Sequence, residues 1–474
     1  MIHEYEIFLA GGFRPCRKAK EIKNPYNQEP IGLVHQAGEE EVEQAIREAV
    51  KGFEDLRRLP AYLRSEALQK ITDGIKDRKE EFARMICREA GKPVADARIE
   101  VGRAILNFQT AAEEAKRLTG EVIPMDLAAG SESRFGIVRR FPIGPVLGIT
   151  PFNFPLNLVG HKIAPAIASG NSIVIKPATQ TPMTALMLAQ VISRAGLPPG
   201  AVSILRCGND LAEKMVLDPR FKVLSFTGSA KVGWMLKAKA GKKRVLLELG
   251  GNAGVIIHDD ADLEYAATRC AAGGFAYAGQ SCISVQRIYV QQRVMKPFLD
   301  RFVSKVAALK SGDPMDEATN VGPLIDTAAV ERTEQWVAEA VRQGARVLAG
   351  GRRKGPMFEP TVLTNVTSVM KVCSEEAFAP LVTVMPYGAF EEGVAALNNS
   401  AYGLQAGVFT NDIKNLFYAY ENLEVGGVMH NETSSYRIDP MPYGGIKDSG
   451  LGREGVRYAI EEMTELKLLA MNLK

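Results

Sequence analysis

Four short apolar runs alternate with helical patterns in the middle of the chain, and this alternation limits the folds available to it. The runs occupy residues 146–149, 172–175, 223–226 and 253–257, and each ends in glycine, proline or polar residues. Helical spacing of apolar residues fills the intervals, most clearly over 184–195. Short apolar strands that alternate with helices are typical of a parallel sheet with helices on both faces. The pattern predicts an α/β fold with a doubly wound sheet.

The flanking segments predict further helices and strands. Residues 1–35 hold short strand-like pieces, and residues 120–140 have an extended pattern. Helical spacing begins at Glu39 and recurs over 61–90, 94–118, 295–310, 327–343, 390–398 and 413–421. The last segment, 463–472, alternates partly and favours a β-strand. That strand would pair either within its own domain or with another subunit, and the pattern does not distinguish the two.

Length and composition restrict the class of protein. A chain of 474 residues is too long for one ordinary core and indicates two or three domains. Its 46% hydrophobic and 24% charged residues are typical of a globular protein. The formal net charge of +3 gives no reason to expect nucleic acid or a membrane surface as a partner. The longest apolar stretch, 145–160, is interrupted by prolines and asparagines, so we expect no membrane span.

The six cysteines are scattered, without any pair at the spacing of a metal site or a disulfide framework. The N-terminus carries acidic residues early and lacks a basic segment followed by an apolar run, so we expect no secretory signal. Together these features predict a cytoplasmic protein without a metal site.

One cysteine stands in a segment that would leave its thiol accessible. Cys282 follows the Gly/Ala-rich stretch 271–279 and lies within Gly-Gln-Ser-Cys-Ile-Ser. Glu248 lies upstream in Leu-Glu-Leu-Gly-Gly. An enzyme that forms a thioester and then hydrolyses it needs a thiol and a carboxylate together. Considered alone, Cys282 is more simply interpreted as an inert buried cysteine, so the surrounding motifs must decide between the two interpretations.

Seven motifs, taken in order, resemble those of the aldehyde dehydrogenase superfamily. They are Thr-Pro-Phe-Asn-Phe-Pro at 150–155, Lys-Pro-Ala at 176–178, Phe-Thr-Gly-Ser at 226–229, Glu-Leu-Gly-Gly at 248–251, Gly-Gln-Ser-Cys at 279–282, Glu-Ala-Phe-Ala-Pro at 376–380 and Pro-Tyr-Gly-Gly-Ile-Lys-Asp-Ser-Gly at 442–450. Each is a weak signal alone, but together they are specific. The resemblance implies that family's α/β fold, with a doubly wound dinucleotide-binding domain, an α/β catalytic domain and a small β bridging domain.

The resemblance also implies three catalytic residues. Cys282 would attack the aldehyde carbon, and Asn153 would donate its side-chain amide to the oxygen that becomes negative, beside the backbone N–H of Cys282. After hydride transfer to a dinucleotide, Glu248 would activate the water that hydrolyses the thioester. Out of context, Asn153 would instead serve a tight turn, and Glu248 a helix cap or an ion pair.

The predicted dinucleotide site lacks the Gly-x-Gly-x-x-Gly fingerprint after the strand at 146–149. The resemblance implies instead that the helix following Ser229 points its N-terminal N–H groups at the pyrophosphate. The cofactor-binding residues that it implies are Ile149, Thr150, Lys176, Thr179, Gly208, Gly228, Ser229, Val232, Leu249, Glu376 and Phe378. Thr179 stands where many NAD-preferring relatives have a glutamate that repels a 2′-phosphate. We therefore expect NADP or NAD as the cofactor, with NADP tolerated and a preference for NADP left open.

Four residues stand where the resemblance implies an aldehyde pocket, namely Arg103, Phe154, His161 and Arg437. The two arginines and the histidine together would bind an anion, which predicts a small anionic or hydroxylated aldehyde as substrate. Each has a plainer alternative, because a helical arginine is usually a surface group and a lone histidine is usually structural. The sequence is similar to the branch that acts on lactaldehyde, phosphonoacetaldehyde and, without phosphorylation, glyceraldehyde 3-phosphate.

The resemblance further implies a homodimer or homotetramer of three-domain subunits. We expect the dinucleotide-binding domain over 1–120 and 140–249, the catalytic domain over 250–450 and bridging segments at 121–139 and 451–474. Three alternatives remain: a CoA-acylating semialdehyde dehydrogenase, which commonly lacks a carboxylate at the Glu248 position; a cysteine hydrolase with a histidine base; and a non-catalytic structural protein on this fold. Asn252 and Ala379 depart from the commoner family pattern, and Ala379 weakens the prediction for Phe378.

Overall fold

The computed structural model describes residues 3–474. Residues 1 and 2 lie outside the described residues. They belong to the first predicted domain and to the segment for which no secretory signal was expected. The helices of the described residues are α1 (Glu39–Leu56), α2 (Ala61–Asp77), α3 (Lys79–Ala90), α4 (Val94–Glu114), α5 (Asn157–Ser169), α6 (Met183–Ile192), α7 (Asn209–Leu217), α8 (Ala230–Lys239), α9 (Leu263–Phe275), α10 (Met295–Ala307), α11 (Thr327–Arg342), α12 (Lys371–Ser374), α13 (Phe390–Asn398), α14 (Ile413–Asn422) and α15 (Val456–Glu462), with 3₁₀ turns at Ala276–Gly279 and Gln292–Val294. Among residues 3–474, no helix has the length and apolarity needed to cross a membrane.

The strands belong to several sheets. They are β1 (Glu4–Tyr5), β2 (Ile7–Leu9), β3 (Gly12–Arg14), β4 (Lys18–Lys23), β5 (Pro30–Gln36), β6 (Glu121–Pro124), β7 (Arg134–Pro142), β8 (Val146–Ile149), β9 (Ile173–Lys176), β10 (Val202–Ile204), β11 (Val223–Thr227), β12 (Arg244–Glu248), β13 (Gly254–Ile257), β14 (Arg287–Gln291), β15 (Arg346–Ala349), β16 (Arg353–Lys354), β17 (Met357–Phe358), β18 (Thr361–Thr364), β19 (Leu381–Tyr387), β20 (Tyr402–Gly403), β21 (Gln405–Phe409), β22 (Gly427–His430), β23 (Ile446–Lys447), β24 (Gly450–Leu451) and β25 (Thr464–Asn472).

The first large sheet has the order β24-β12-β11-β8-β9-β10-β2-β3. Its five central strands, β12 to β10 in that order, are parallel. The chain enters this parallel set at β8, builds outward to β10, and returns to the other side of β8 with β11 and β12. Doubly wound sheets have a crevice that binds ligands where the strand order reverses in this way, at the carboxyl ends of the strands. The predicted runs 146–149, 172–175 and 223–226 correspond to β8, β9 and β11.

Helices α4 and α5 pack together beside this sheet. α4 buries one face, including Val101, Ala104 and Phe108, whereas every residue of α5 is buried. Gly160 permits the close approach, because a Cβ added there would lie 3.1 Å from the ring of Phe108. Burial of apolar surface contributes about 25 cal/mol per Å². This packing therefore fixes α4 relative to the turn that precedes α5.

The fourth predicted run, 253–257, becomes β13 in the middle of a second sheet. That sheet has the order β15-β18-β19-β14-β13-β21-β22, and all its pairings are parallel except that of β15 with β18. Phe275, Phe298 and Phe302 stack beneath it in a core separate from that of the first sheet. The chain therefore carries two parallel sheets, each with its own apolar interior.

A small third sheet has the order β25-β7-β6. β25 pairs antiparallel with β7 and leaves Leu466, Leu468 and Leu469 exposed at the sheet edge. Only β25 of the predicted segment 451–474 joins this sheet. Helix α15 instead packs on α4 and α5, where its apolar residues Val456 and Ile460 enter the core of the first sheet. The predicted domain boundaries, and the homodimer or homotetramer, stay predictions.

Candidate active site

A cavity of about 260 Å³ opens at the carboxyl ends of β11 and β12. Its wall combines those strand ends with the turn before α5, the loop that carries Cys282 and the loop before β23. The cavity brings together many of the predicted residues, namely Arg103, Asn153, Phe154, Gly228, Ser229, Glu248, Leu249, Cys282, Glu376, Phe378 and Arg437. A thiol, a carboxylate and a side-chain amide therefore share one enclosed space.

The loop that carries Cys282 is held by unusual backbone geometry. Tyr277 and Ala278 adopt positive φ angles of 48° and 53°. Gly279 follows at φ 69°, where a Cβ would lie 2.1 Å from the carbonyl oxygen of Ala379. On the other side, a Cβ on Gly251 would lie 2.2 Å from the carbonyl oxygen of Cys282. Glycine is therefore needed at both positions for the backbone to approach this closely.

Cys282 is half-buried, and its Sγ lies 3.0 Å from the hydroxyl oxygen of Tyr443. Burial raises the pKa of the Cys282 thiol to about 11. The charges of Glu376 and Glu248 act in the same direction, whereas the Tyr443 hydrogen bond and the Arg437 charge lower the pKa. The nucleophilic thiolate therefore depends on the hydrogen bonds and positive charges that the site can provide.

Asn153 lies in the turn before α5 with its side chain almost fully buried. Its Nδ2 donates a hydrogen bond to the carbonyl oxygen of Gln280 at 3.0 Å. The Gln280 side chain is held in turn, because its Oε1 accepts from the N–H of Ile325 at 2.9 Å. Asn153 therefore connects the turn before α5 to the loop that carries Cys282.

Glu248 ends β12 and is only 5% exposed. Its Oε2 has no hydrogen-bond partner within residues 3–474. Burial raises the pKa of Glu248 well above its usual range, and the charge of the neighbouring Glu454 raises it further. Arg437 and Lys162 oppose this shift only in part. Glu248 therefore holds a free oxygen beside the cavity and binds a proton far more readily than an exposed glutamate.

Glu454, whose charge raises the pKa of Glu248, has a lowered pKa itself. Burial would raise its pKa, but the charges of His161, Lys162 and Arg437 overcome this effect and lower it. Nη2 of Arg437 donates to Glu454 Oε2 at 3.1 Å, and Nζ of Lys162 lies 3.6 Å from Glu454 Oε1. Lys162 also donates to Ser225 Oγ at 3.0 Å and to Thr227 Oγ1 at 2.8 Å. These contacts hold a network of buried charges behind Glu248.

Arg437 also reaches the cavity. Its guanidinium carbon lies 3.5 Å from the centroid of the Tyr443 ring, a cation–π contact. Its Nε has no partner among the side chains and backbone of the described residues. Arg437 therefore retains a hydrogen-bond donor that its neighbours do not use.

Arg103 and His161 converge on Asp439 rather than on open space. Arg103 donates to both Asp439 oxygens, at 2.9 and 3.1 Å, and His161 Nε2 lies 2.7 Å from Asp439 Oδ1. His161 is fully buried within α5 and does not belong to the cavity wall. Its ring contacts Asp439, and its predicted contact with the substrate stays a prediction. Arg103 keeps 21% of its side chain exposed and does line the cavity.

The chain is similar over nearly its whole length to known proteins. Residues 14–469 match the sequence model of the aldehyde dehydrogenase family. The chain belongs to the aldehyde dehydrogenase family. It is therefore an oxidoreductase of a family that uses NAD or NADP, as the seven motifs predicted.

Three relatives illustrate the likeness of this aldehyde dehydrogenase to known members. A 3-sulfolactaldehyde dehydrogenase of Priestia aryabhattai is 43% identical over 473 residues, which cover 100% of this chain and 99% of the relative. The solved structure of aldehyde dehydrogenase 21 from Physcomitrella patens, in complex with the reaction product succinate, is 46% identical with a TM-score of 0.98 and covers 100% and 99% of the two chains. The glyceraldehyde-3-phosphate dehydrogenase GapN of Methanocaldococcus jannaschii, complexed with NADP, is 41% identical with a TM-score of 0.93, covering 96% and 100%. These relatives confirm the fold and the predicted branch.

Most of the predicted cofactor residues of this aldehyde dehydrogenase lie at or just after the carboxyl ends of strands of the first sheet. Lys176 ends β9, and its Nζ donates to Asn209 Oδ1 at 3.3 Å. Helix α8 starts after Ser229, and no side chain of the described residues caps its first N–H groups. Those N–H groups and Lys176 fit an anionic dinucleotide. Roles for Ile149, Thr150, Gly208 and Val232 stay predictions.

Glu376 and Phe378 form the opposite side of the dehydrogenase cleft. Glu376 Oε1 accepts a hydrogen bond from the N–H of Gly251 at 3.0 Å, and burial raises the pKa of Glu376 to about 7. Phe378 has a positive φ of 48°, and its ring lies 5.8 Å from that of Phe152 in an edge-on arrangement. Their predicted contact with the cofactor stays a prediction.

Three residues of the dehydrogenase site had not been predicted, namely Lys162, Tyr443 and Glu454. Lys162 had a usable signal, because a lysine within the largely apolar stretch 156–168 must be paired when buried. Tyr443 lay inside a recognised motif without an assigned role. Glu454 gave no local signal. Among residues 3–474, no group of three or more His, Cys, Asp or Glu side chains could hold a metal ion.

Proposed function

We propose that this aldehyde dehydrogenase oxidises a small anionic aldehyde to its carboxylic acid, preferably with NADP, through a thioester on Cys282. The observation that carries the proposal is the single cavity in which Cys282, Glu248 and Asn153 meet two arginines, Arg103 and Arg437. The first three fit thioester chemistry, and the arginines fit an anionic substrate.

The first step forms the bond between substrate and enzyme. The Cys282 thiolate attacks the aldehyde carbon, a C–S bond forms, and the carbonyl π electrons move onto the oxygen. The N–H of Cys282 and the amide of Asn153 stabilise this oxygen, for which Asn153 exchanges its bond to Gln280 for one to the substrate. When bound, the oxidised dinucleotide supplies the hydride acceptor that turns this adduct into a thioester.

Hydrolysis then releases the acid. Glu248 takes a proton from a water molecule that attacks the thioester carbon, the C–S bond breaks, and the electron pair returns to the sulfur of Cys282. The free Oε2 of Glu248 supports this role, because a water molecule can bind there without displacing another partner within the described chain. The raised pKa of Glu248 makes it a stronger base than an exposed glutamate once it is ionised.

The charges of the wall favour an anionic substrate. Glu454 and Asp439, the carboxylates beside the cavity whose pKa values are lowered, are paired with Arg437 and Arg103 respectively. The raised pKa of Glu248 favours its uncharged form. A substrate anion would therefore bind through the guanidinium N–H groups that these two ion pairs leave free. The sulfonate in one relative's name and the succinate bound to another are consistent with this choice.

The cofactor preference rests on the region after β9. Thr179 brings no carboxylate toward the ribose, and the buried Arg206 donates to its carbonyl oxygen at 3.4 Å. A 2′-phosphate would therefore meet Lys176 and Arg206 without a repelling charge from position 179. The NADP bound to the GapN relative supports this preference.

The substrate proposal is tested by following the reduced cofactor with NADP and comparing kcat/KM for three aldehydes. Glyceraldehyde 3-phosphate or succinate semialdehyde should exceed lactaldehyde by at least about tenfold, as one added charge-assisted hydrogen bond would provide. Arg103→Met should reduce this ratio mainly through KM. Arg117→Met, which removes an exposed arginine just beyond α4, is the matched control. A preference for lactaldehyde would remove the anion site from the proposal but leave the dehydrogenase assignment intact.

The cofactor proposal is tested with Thr179→Glu. The added carboxylate should lower kcat/KM for NADP by about tenfold or more and leave that for NAD nearly unchanged, because it repels only the 2′-phosphate. Gln180→Glu adds the same charge at the next, exposed position and serves as the control. Equal losses with both cofactors would contradict a 2′-phosphate at this place.

The product distinguishes hydrolysis from acyl transfer to CoA. We expect the free acid whether or not CoA is present, because Glu248 provides a base for water. Formation of acyl-CoA in place of the acid would overturn the hydrolytic assignment.

A further inference from the structure

The hydroxyl of Tyr443 is the side-chain group that hydrogen-bonds to the Cys282 sulfur, at 3.0 Å. The backbone of Tyr443 is fixed by a two-way bridge, in which its N–H donates to the Glu454 carbonyl at 3.0 Å and its carbonyl accepts from the N–H of Glu454 at 2.6 Å. Its ring packs with Ile283 and Leu404 in a small apolar cluster. The phenol is therefore held against the sulfur by its backbone and its ring together.

Arg437 strengthens the phenol as a donor. Its guanidinium lies 3.5 Å from the Tyr443 ring centroid, and Glu454 holds it there through the 3.1 Å ion pair. A cation over an aromatic face withdraws electron density from the ring, which polarises the attached O–H bond. The Tyr443 and Arg437 side chains are both buried, and such an interaction is stronger there than at a surface.

From this geometry we infer that Tyr443 is a further catalytic residue, whose phenol donates a hydrogen bond to the Cys282 thiolate and stabilises it before attack. The inference rests on the proposed role of Cys282 as nucleophile. A neutral S–H is only a weak acceptor, whereas a thiolate is a strong one, so the bond gains strength as the sulfur ionises.

The direction of the hydrogen bond follows from the chemistry of the two groups. Burial raises the pKa of the Tyr443 phenol well above its usual value, so the phenol keeps its proton. On ionisation the Cys282 S–H bond breaks, the proton leaves to water, and the electron pair left on sulfur accepts the phenol O–H. When that pair forms the C–S bond, the sulfur becomes a poor acceptor and the hydrogen bond weakens.

The test is Tyr443→Phe, which removes the hydroxyl and keeps the ring. The rate of Cys282 alkylation by iodoacetamide is measured against pH in the full chain without aldehyde. The midpoint of this pH dependence should lie about one pH unit or more higher in the variant, because the thiolate loses a hydrogen bond to its charged sulfur. At pH values below the midpoints of both proteins, alkylation of the variant should be about tenfold slower than that of the unmodified protein. The plateau at high pH should be equal or higher, because a more basic thiolate is a better nucleophile.

Two controls isolate the hydroxyl. Tyr289→Phe removes another buried hydroxyl, which donates to the carbonyl oxygen of Ala396 at 3.0 Å outside the cavity, and should leave the midpoint unchanged. Cys282→Ser measures the background from the other cysteines. Tyr443→Met, which also lacks the hydroxyl, repeats the measurement if the phenylalanine variant is unstable.

An unchanged or lower midpoint in both Tyr443 variants would overturn the inference. The proposed function is judged separately by aldehyde oxidation in the unmodified protein and in Cys282→Ser. Aldehyde turnover that survives Cys282→Ser would overturn the proposed nucleophile and, with it, the catalytic role of Tyr443. A raised midpoint in a protein that oxidises none of the aldehydes would leave the hydrogen bond established and overturn the proposed substrate class.

Discussion

Two buried clusters of charge flank the cavity and differ in how completely their atoms are paired. In the first, the lysine pair, Lys92 contacts Glu100 with both side chains at most 1% exposed. Glu100 also accepts the N–H groups of Leu156 at 2.9 Å and Asn157 at 3.2 Å. The second, the glutamate cluster, consists of Glu248, Glu454, Lys162 and Arg437, which are also buried. Three of its atoms, Glu248 Oε2, Glu454 Oε1 and Arg437 Nε, have no hydrogen-bond partner within residues 3–474.

The difference separates a positioning role from a chemical one. The lysine pair reaches both sides of the site, because Lys92 Nζ lies 3.6 Å from the ring centroid of Phe154 and 4.6 Å from that of Tyr277. It therefore links the turn of Asn153 to the strained segment before Cys282. Unpaired buried polar atoms are costly and uncommon in folded proteins. Their presence around Glu248 is explained if water and substrate complete the pairing there.

The largest effect is expected from Glu248→Gln in the glutamate cluster. Glutamine resembles the protonated form that the raised pKa favours, so the fold should be retained. Steady-state kcat should nevertheless fall by about 10³-fold, the usual scale for removal of a general base. Stopped-flow measurement should show one burst of reduced cofactor, because the thioester still forms but is not hydrolysed.

The pH profile of the same step gives an independent check. Because the base must be ionised and its pKa is raised, deacylation should increase with pH through a range above that of an exposed glutamate. Undiminished steady turnover in Glu248→Gln would show that another group activates the water, and the glutamate cluster would then be structural like the lysine pair.

The next largest effect is expected from Lys92→Met in the lysine pair, on stability rather than chemistry. Removing the lysine leaves the Glu100 carboxylate buried without its cation, which should lower the free energy of unfolding by about 4 kcal/mol. Urea unfolding followed by circular dichroism would measure the change. Lys92→Met combined with Glu100→Gln should recover much of the loss, because no unpaired charge then remains.

A surface pair provides the matched control for this loss. Lys51 lies 2.9 Å from Glu48 with 71% of its side chain exposed, so Lys51→Met should cost less than about 1 kcal/mol. Equal decreases in the free energy of unfolding for the Lys92 and Lys51 variants would show that burial does not determine how much the lysine pair contributes to stability. The contrast between the two clusters would then lose its basis.

The sequence predicted the parts of this arrangement that depend on local order. The apolar runs that form β8, β9 and β11 could be identified because parallel strands buried on both faces are continuously apolar. Cys282 and Glu248 lie in short motifs that contain Gly279 and Gly251, where a Cβ would lie 2.1 and 2.2 Å from a backbone carbonyl oxygen.

Contacts between distant segments could not be predicted in the same way. Tyr443 meets Cys282 across 161 residues, and His161 meets Asp439 across 278. Both contacts depend on the position of the loop before β23, and the spacing of residues in the sequence does not indicate that position. The substrate contact predicted for His161 stays a prediction, but the contact with Asp439 was not predicted. Its position near Asn153 in sequence suggested the pocket, whereas the direction of its ring was decided by its partner Asp439.

The smallest effect concerns Asp439, which joins α4 and α5 to the loop that carries Arg437. Burial would raise the pKa of Asp439, but the hydrogen bond from His161 and the charge of Arg103 overcome this and hold it well below its usual range. A carboxylate with a depressed pKa gives stability that is fully present above its unfolded pKa of about 4 and is lost as the pH falls further. His161, whose pKa burial lowers, acts in the same direction.

Asp439→Asn should therefore lower the free energy of unfolding by about 2 kcal/mol at neutral pH, less than Lys92→Met because Arg103 can reach water. The difference from the unmodified protein should shrink as the pH falls below about 4, where the unfolded chain binds the extra proton first. Urea unfolding from about pH 7 to about pH 3.5 measures this, with the exposed Asp126→Asn as control. If the difference in the free energy of unfolding stays constant over this range, Asp439 contributes through packing alone. The lysine pair would then be the one of these two ion pairs whose contribution to stability is electrostatic.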